Sequence, residues 1–258
     1  ALGPHGLDGQ FDFPLMWQLR STLGRGQSSM VALDSTVRES SRTWLTVGGG
    51  DSGRAIMSPF IGNHDVPRFL SDAAGDEVWD PVDNPPTLPD SDAPYRRLVL
   101  AQAVVLTQPG APVIYYGDEF GMVGATDPDN RRAMRFDEEL TTREQWTLES
   151  VARIGRLRRC LPSLRRGSRM TLVVDDDVYV YLRDLGDGEP AIVVLNRSDA
   201  PQSVEADVPH DLQLGTSTVR DVLGTTTVSV TNSRLAPFTV PPLSVMILIP
   251  EGSRCHDQ

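Results

Sequence analysis

The stretch RAIMSPFIGNHD, residues 54–65, decides how the first half of the chain is interpreted. Its apolar run is followed by three adjacent polar residues, Asn63, His64 and Asp65. A parallel βα barrel carries its reacting groups directly after the carboxyl ends of its strands. The stretch therefore predicts a strand over residues 54–61 with functional side chains at its end. Taken alone, the same triplet also fits a helix cap or a turn.

Short apolar segments alternate with helix-like segments on both sides of this stretch, which is typical of βα units around a parallel sheet. Strands are predicted over residues 7–13 and 111–116. Residues 95–108 are apolar nearly all round and predict a buried helix between two strands. A further helix is predicted over residues 141–159, with Thr142 as its cap. The first half of the chain is therefore expected to be an α/β structure.

After about Gly167 the sequence changes to short alternating segments separated by turn residues. Such a pattern is typical of an antiparallel β domain. Its predicted strands are residues 171–174, 178–184, 191–196, 226–231 and 243–249. We therefore expect residues 1–165 and residues 166–258 to form two domains.

The composition excludes several functions. The formal net charge is −11, so the chain repels polyanions, and neither nucleic acid nor an acidic membrane surface is an expected partner. All 24 basic residues are arginines, which excludes chemistry that needs a lysine Schiff base or a phosphate-binding lysine. No apolar run approaches the roughly 20 residues that a membrane span needs. Cys160 and Cys255 form no short redox or metal motif and leave the redox compartment undecided.

Four sequence blocks, in this order, carry a resemblance to a known family. They are LDGQFDFPL at 7–15, FIGNHD at 60–65, APVIYYGDEFG at 111–121 and DPDNRR at 127–132. The set resembles strands six to eight, and the loop after strand eight, of the α-amylase family, glycoside hydrolase family 13. The resemblance covers roughly residues 7–160, and the β-rich remainder is similar to that family's C-terminal domain.

The resemblance implies an α/β fold class. Residues 1–165 would form the C-terminal portion of a TIM barrel, a (β/α)8 barrel, and residues 166–258 an antiparallel β-sandwich domain. The family's nucleophile, an Asp, and its acid, a Glu, follow strands four and five. We expect both upstream of Ala1, so the chain would be a fragment whose partner is the missing N-terminal part of the barrel. Three strands of an eight-stranded barrel would leave sheet edges uncovered, which favours the same interpretation.

The resemblance also implies a role for particular residues. Asp65 would be a catalytic carboxylate that binds the 2- and 3-hydroxyls of the sugar as the transition state forms. His64 would bind the same hydroxyls, and Asp127 with Arg131 would hold a glucose unit on the non-reducing side of the cleavage point. The alternative for Asp127 and Arg131 is an Asp-Pro turn with a structural salt bridge. Arg68 is expected to form a structural ion pair.

The expected function is that of an α-glucan-active retaining glycoside hydrolase, with starch, glycogen or a maltooligosaccharide as substrate. The alternatives are an α-glucosidase or glucosyltransferase of the same family, or a non-catalytic relative that serves as a binding or assembly subunit. No cofactor is visible in the sequence, and the resemblance allows a structural calcium ion in the complete enzyme. The location stays open, with an extracellular or periplasmic one favoured.

Overall fold

The computed structural model of the protein describes residues 9–47, 56–76, 78–79, 83–186, 189–212, 214 and 217–256. Short strands and longer helices alternate in its first part. These elements are β1 (Gly9–Phe11), α1 (Phe13–Leu19), α2 (Met30–Val47), β2 (Ile56–Ser58), α3 (Phe69–Ala74), α4 (Ala93–Thr107), α5 (Thr142–Cys160) and α6 (Pro162–Arg166).

The parallel strands are shorter than the sequence predicts. β1 and β2 are parallel neighbours, with Phe11 opposite Ser58. The prediction over residues 7–13 is wrong at its end, because Asp12 caps α1 and Phe13 already belongs to that helix. The prediction over residues 54–61 is wrong beyond Ser58, since the next residue is a proline, which has no N–H for the ladder. Residues 7–8 and 54–55 of these predictions lie outside the described residues.

The predicted strand over residues 111–116 is extended but irregular. Its Ala111 and Val113 amides donate to the Met57 and Pro59 carbonyls, both at 2.9 Å, so the segment runs beside β2. The described structure assigns no regular strand to it, and Tyr116 already begins a turn. The prediction of a regular strand over residues 111–116 is therefore wrong, although the segment is extended and lies beside β2.

Both long helices predicted from the sequence are present. α4 is buried over almost its whole length, which confirms the prediction of a buried helix. α5 begins at Thr142, but the cap is Thr141, so the predicted cap is wrong by one residue. The Thr141 hydroxyl accepts from the Glu144 amide, and the Glu144 carboxylate accepts from the Thr141 amide at 2.8 Å. This reciprocal pair satisfies two amides that the first turn of a helix leaves without partners.

The second part of the chain is one antiparallel sheet folded into a sandwich. The eight strands that the structure describes in this part lie in the order β3-β4-β5-β10-β7-β8-β9-β6. The strands are β3 (Ser168–Val174), β4 (Val178–Asp184), β5 (Ala191–Asn196), β6 (Gln202–Asp207), β7 (Thr218–Asp221), β8 (Thr227–Thr231), β9 (Arg234–Val240) and β10 (Ser244–Pro250). The five predicted strands are confirmed within a few residues at their ends, and β6, β7 and β9 were not predicted.

One face of the sandwich packs against the barrel part. Val180 of β4 faces the core inside the sandwich, whereas its neighbour Tyr181 packs in the core that contains α4. Alternate residues of a strand point to opposite faces, so β4 is apolar on both faces because both are covered. The two parts therefore share one continuous hydrophobic core.

Polar contacts and a disulfide also join the sandwich to the barrel part. The fully buried Arg183 donates to the carbonyls of Leu164 and Gly167, at 3.0 and 2.7 Å, and to that of Thr107 at the end of α4. A disulfide joins Cys160, the last residue of α5, to Cys255. The sequence interpretation predicted no pairing for these two cysteines.

Candidate functional site

The three polar residues after β2 lie in an irregular turn rather than directly at the strand's last residue. The Asp65 amide donates to Asn63 Oδ1 at 2.8 Å, which closes the turn. His64 Nε2 lies 3.2 Å from Asp65 Oδ1, and the two side chains are 61% and 66% exposed. An imidazole and a carboxylate are therefore held side by side with most of their surface open to a ligand.

The loop after the extended segment brings Asp127 and Arg131 to this turn. Arg131 donates to the His64 carbonyl at 3.3 Å, and its Nε lies 3.2 Å from Asp127 Oδ1. The Asp127–Pro128 peptide bond is cis. All four residues singled out by sequence, Asp65, His64, Asp127 and Arg131, thus meet in one exposed region. The Asp127–Arg131 ion pair is also what the structural alternative predicts, so the binding roles stay predictions.

A buried arginine lies beneath this exposed region. Arg68 is 1% exposed, and it pairs with Asp118 at 3.2 Å, which confirms the predicted structural ion pair. Its Nε donates to the Asn130 carbonyl at 2.9 Å, and its guanidinium lies 4.2 Å from the ring centroid of Tyr115. One side chain therefore ties the start of α3 to the extended segment and to the loop after it.

Asp118 is as deeply buried as its partner. Burial raises the pKa of the Asp118 carboxyl to about 6, and the neighbouring Arg68 and Arg20 guanidinium groups oppose that rise. Its Oδ2 lies against Gly62, where a Cβ would come within 2.7 Å of it. Gly62 is therefore needed for close approach of the carboxylate to the segment that leads to Asn63.

Asn130 was not predicted as a site residue, although it lies in the block DPDNRR at residues 127–132. The Asn130 side chain is fully buried, and its Nδ2 donates to the His64 and Val66 carbonyls at 2.9 and 3.0 Å. An Asn between two charged residues of a loop gives no sign of burial in the sequence. The contacts join residues 66 and 64 positions apart, so only the fold reveals them.

The described residues show neither a metal centre nor a membrane helix. No cluster of three or more His, Cys, Asp or Glu side chains in the described stretches is placed to hold a metal ion. The calcium ion allowed for the complete enzyme stays a prediction. None of the helices described above is long and apolar enough to cross a membrane.

Two family models match the chain. Residues 5–157, more than half of the chain, match the model described as alpha amylase, catalytic domain. Residues 169–247 match the model described as maltogenic amylase, C-terminal domain. The chain belongs to the α-amylase family, glycoside hydrolase family 13.

Individual relatives agree with this assignment. A cyclomaltodextrin glucanotransferase of Niallia circulans is 29% identical over 231 residues, which cover 89% of this chain and 28% of that protein. Neopullulanase 2 of Thermoactinomyces vulgaris is 36% identical over 152 residues, which cover 58% of this chain and 22% of that protein. The chain spans about a quarter of the length of such curated relatives.

Solved structures show the same fold. The α-amylase of Geobacillus thermoleovorans, in complex with acarbose, is 27% identical and superposes with a TM-score of 0.74. The match covers 95% of this chain and 48% of that one. The predicted fold class, the C-terminal portion of a TIM barrel followed by an antiparallel β-sandwich, is confirmed. The boundary between residues 165 and 166 stays a prediction.

Proposed function

We propose that this chain is part of a retaining glycoside hydrolase that cleaves α-1,4-glucosidic bonds in starch, glycogen or maltooligosaccharides. The observation that carries the proposal is the contact between Arg131 and the His64 carbonyl, next to Asp65. It joins a candidate sugar-binding group and a candidate catalytic carboxylate in one exposed region. Family membership supports the chemistry, since the relatives include proteins named as a cyclomaltodextrin glucanotransferase and a neopullulanase.

The proposed mechanism divides the work between this chain and the rest of the barrel. Retaining cleavage needs a carboxylate nucleophile and a carboxylic acid about 5 to 5.5 Å apart. These groups would come from strands four and five, which lie in the remainder of the barrel. Asp65 would accept hydrogen bonds from two sugar hydroxyls, and those bonds strengthen as positive charge develops on the ring. Its negative charge would also help to keep the neighbouring acid protonated.

The remaining side chains would bind rather than react. His64 can donate to a sugar hydroxyl beside Asp65, because its imidazole is exposed at the same turn. Asp127 and Arg131 present one acceptor group and one donor group, which together suit a pair of hydroxyls on a further glucose unit. The substrate would therefore lie across the turn and the loop.

A second activity is favoured by the relatives. Several of them are named cyclomaltodextrin glucanotransferase, and others cyclomaltodextrinase or neopullulanase. We keep glucosyl transfer to a sugar acceptor as the alternative to hydrolysis, because both begin with the same glycosyl-enzyme intermediate. An α-glucosidase or a non-catalytic binding or assembly subunit also stays open.

The test compares this chain with a protein that joins it to the remaining strands of the barrel. Each is incubated with maltoheptaose, and the products are followed by chromatography and by the configuration of the new reducing end. The joined protein is expected to release products with retained α configuration, and this chain alone is expected to release none. Turnover by this chain alone, or inversion by the joined protein, would contradict the proposal. Shorter products alone indicate hydrolysis, and the appearance of longer or cyclic products indicates transfer.

A further inference from the structure

The position of Asp65 depends on its backbone. Its carboxylate contacts the His64 ring, but both side chains are largely exposed, and exposed pairs of this kind contribute little to order. The Asn63 side chain closes the turn locally. A carboxylate that acts in a transition state must be held far more precisely than such contacts provide, because a displacement of about 1 Å can cost roughly 100-fold in rate.

Asn130 holds that backbone on both sides. Its Nδ2 donates to the carbonyl of His64 before Asp65 and to the carbonyl of Val66 after it. The two bonds use both protons of one amide group, so the His64–Asp65 and Val66–Pro67 peptide units, which lie before and after Asp65, are held by a single side chain. No other residue type of this size could place two donors from one nitrogen at neutral charge.

Asn130 is itself held in place. Its backbone carbonyl accepts from Arg68 Nε at 2.9 Å, and its Cα lies 3.0 Å from the point that a Cβ on Gly124 would occupy. The Arg68 amide in turn donates to the Gly124 carbonyl at 2.9 Å. Asn130 is therefore wedged between a glycine and a buried guanidinium and cannot move without them.

Asn130 also precedes Arg131 in a short 3-10 turn, Asp129–Arg131. Arg131 donates to the same His64 carbonyl, at 3.3 Å, but its side chain is about half exposed and pairs with Asp127. The turn thus carries the buried Asn130, which donates to the backbone on either side of Asp65, and the exposed Arg131, which a ligand can reach. Because both Asn130 and Arg131 contact the His64 carbonyl, the turn holds Arg131 next to Asp65.

We propose that Asn130 is a positioning residue for Asp65, because its buried amide clamps the carbonyls of the two residues on either side of Asp65, His64 and Val66. The inference rests on the proposed function for its effect on turnover. Its structural half, that the clamp orders residues 63–66, is independent of activity.

The chain offers a matched control. Asn196 in β5 is also fully buried, and its Nδ2 donates to three carbonyls, those of Ala200, Val240 and Pro241, at 2.9, 3.2 and 2.9 Å. It lies in the sandwich, remote in sequence from the candidate site. Asn130→Ala and Asn196→Ala therefore each remove a buried amide that donates to backbone carbonyls, in two different places. Asn196 also accepts from the Ser198 amide at 2.9 Å, so Asn196→Ala is expected to lose at least as much stability as Asn130→Ala.

The first measurement is amide hydrogen exchange over residues 63–66. Asn130→Ala is expected to speed exchange there at least tenfold, and Asn196→Ala to leave it unchanged. Equal exchange in the two variants would overturn the proposal whether or not the protein is a glycosidase. If Asn130→Ala does not fold, Asn130→Ser, which keeps one donor, is expected to fold and to show a smaller increase.

The second measurement is a double-mutant cycle in the joined protein. Asn130→Ala is expected to lower kcat about 100-fold with little change in KM, and Asn196→Ala to lower it less than twofold. In an Asp65→Asn background, Asn130→Ala is expected to have almost no further effect, since it acts through Asp65. Additive losses would show a general structural role and overturn the proposal. A wild-type protein without turnover would contradict the proposed function alone, and the exchange result would still decide the clamp.

Discussion

Two ion pairs in the candidate site have the same length and opposite surroundings. Arg68–Asp118 and Arg131–Asp127 both span 3.2 Å between nitrogen and oxygen. The side chains of the first pair are each 1% exposed, whereas those of the second are 46% and 58% exposed. The inner pair fixes the scaffold, and the outer pair lies where a ligand can reach it. Distance alone would not separate these two roles.

The difference shows what burial does to a charge pair. A buried pair is weak evidence of net stabilisation, but removal of one partner leaves an uncompensated charge and costs about 3–5 kcal/mol. An exposed pair typically contributes about 0–1 kcal/mol. The outer pair can therefore exchange its internal contact for contacts to a ligand at little cost in stability.

The largest expected effect comes from breaking the inner pair. Arg68→Met is expected to lower the free energy of unfolding by about 3–5 kcal/mol, because Asp118 loses its partner and the carbonyls of Tyr116 and Asn130 lose a donor. The matched variant Arg131→Met is expected to cost under about 1 kcal/mol. Urea unfolding of the joined protein measures both. Similar losses of unfolding free energy in the two variants would show that the buried and the exposed pair do not differ in their contribution to stability.

The second-largest expected effect is a loss of activity with little change in stability. Asp65→Asn in the joined protein is expected to lower kcat and kcat/KM together, by roughly 100- to 1,000-fold, because in the proposed mechanism the group acts mainly in the transition state. The melting temperature should hardly change, since the side chain is two-thirds exposed.

The control is Asp199→Asn, which removes a surface carboxylate of the sandwich and should leave turnover intact. If Asp65→Asn raised only KM, Asp65 would be an ordinary binding residue.

The smallest expected effect is a pH dependence of the inner pair. The pKa of Asp118 is about 6 in the folded state against an ordinary value of 3.8, so the folded state binds the extra proton between these values. Stability from this group is then fully present below about pH 4 and is lost as the pH rises through 6. The loss corresponds to at most about 3 kcal/mol, at 1.36 kcal/mol for each pKa unit.

Asp118→Asn does not titrate and supplies the comparison. The difference in unfolding free energy between this variant and the wild type should shift in favour of the variant between pH 4 and pH 7. Urea unfolding at both values measures the shift. A constant difference would show that Asp118 keeps an ordinary pKa in the folded protein.

The sequence predicted those parts of the fold whose pattern is local. α4 is apolar nearly all round and β4 and β5 are continuous apolar runs, so their bounds were close to the observed ones. β9 was not predicted because Pro237 lies inside it. β6 was not predicted because four of its six residues are polar, and two of these, Glu205 and Asp207, are of types depleted in strands.

Helix α2 was not predicted, because its sequence contains side chains that can compete for the hydrogen bonds of the helix backbone. It contains several Ser and Thr residues, which are neutral or unfavourable in helix interiors. In the structure Ser35, Thr36 and Ser41 donate to carbonyls four residues earlier, so their hydroxyls are satisfied within the helix. The helix is then held by packing against the rest of the chain, which the sequence alone does not show.

In the candidate site, too, some residues could be identified from the sequence and others only from the structure. Asp65, His64, Asp127 and Arg131 could be predicted because they stand in ordered blocks of a known family. The Asn130 clamp could not, because it joins residues that are far apart in sequence and depends on burial of a polar side chain. The cysteine pairing was missed for the same reason, since the two residues are separated by 95 positions.

The disulfide between Cys160 and Cys255 has a mechanical consequence. It closes a covalent ring that contains α6 and all eight strands of the sandwich. A force applied to the backbone just beyond Cys255 would reach α5 through the sulfur atoms, so the sandwich would carry none of the tension. A single cut anywhere in the ring would likewise leave both pieces attached to the barrel. The sandwich is thus covalently attached to the barrel part at both ends, through the backbone after α5 and through the disulfide.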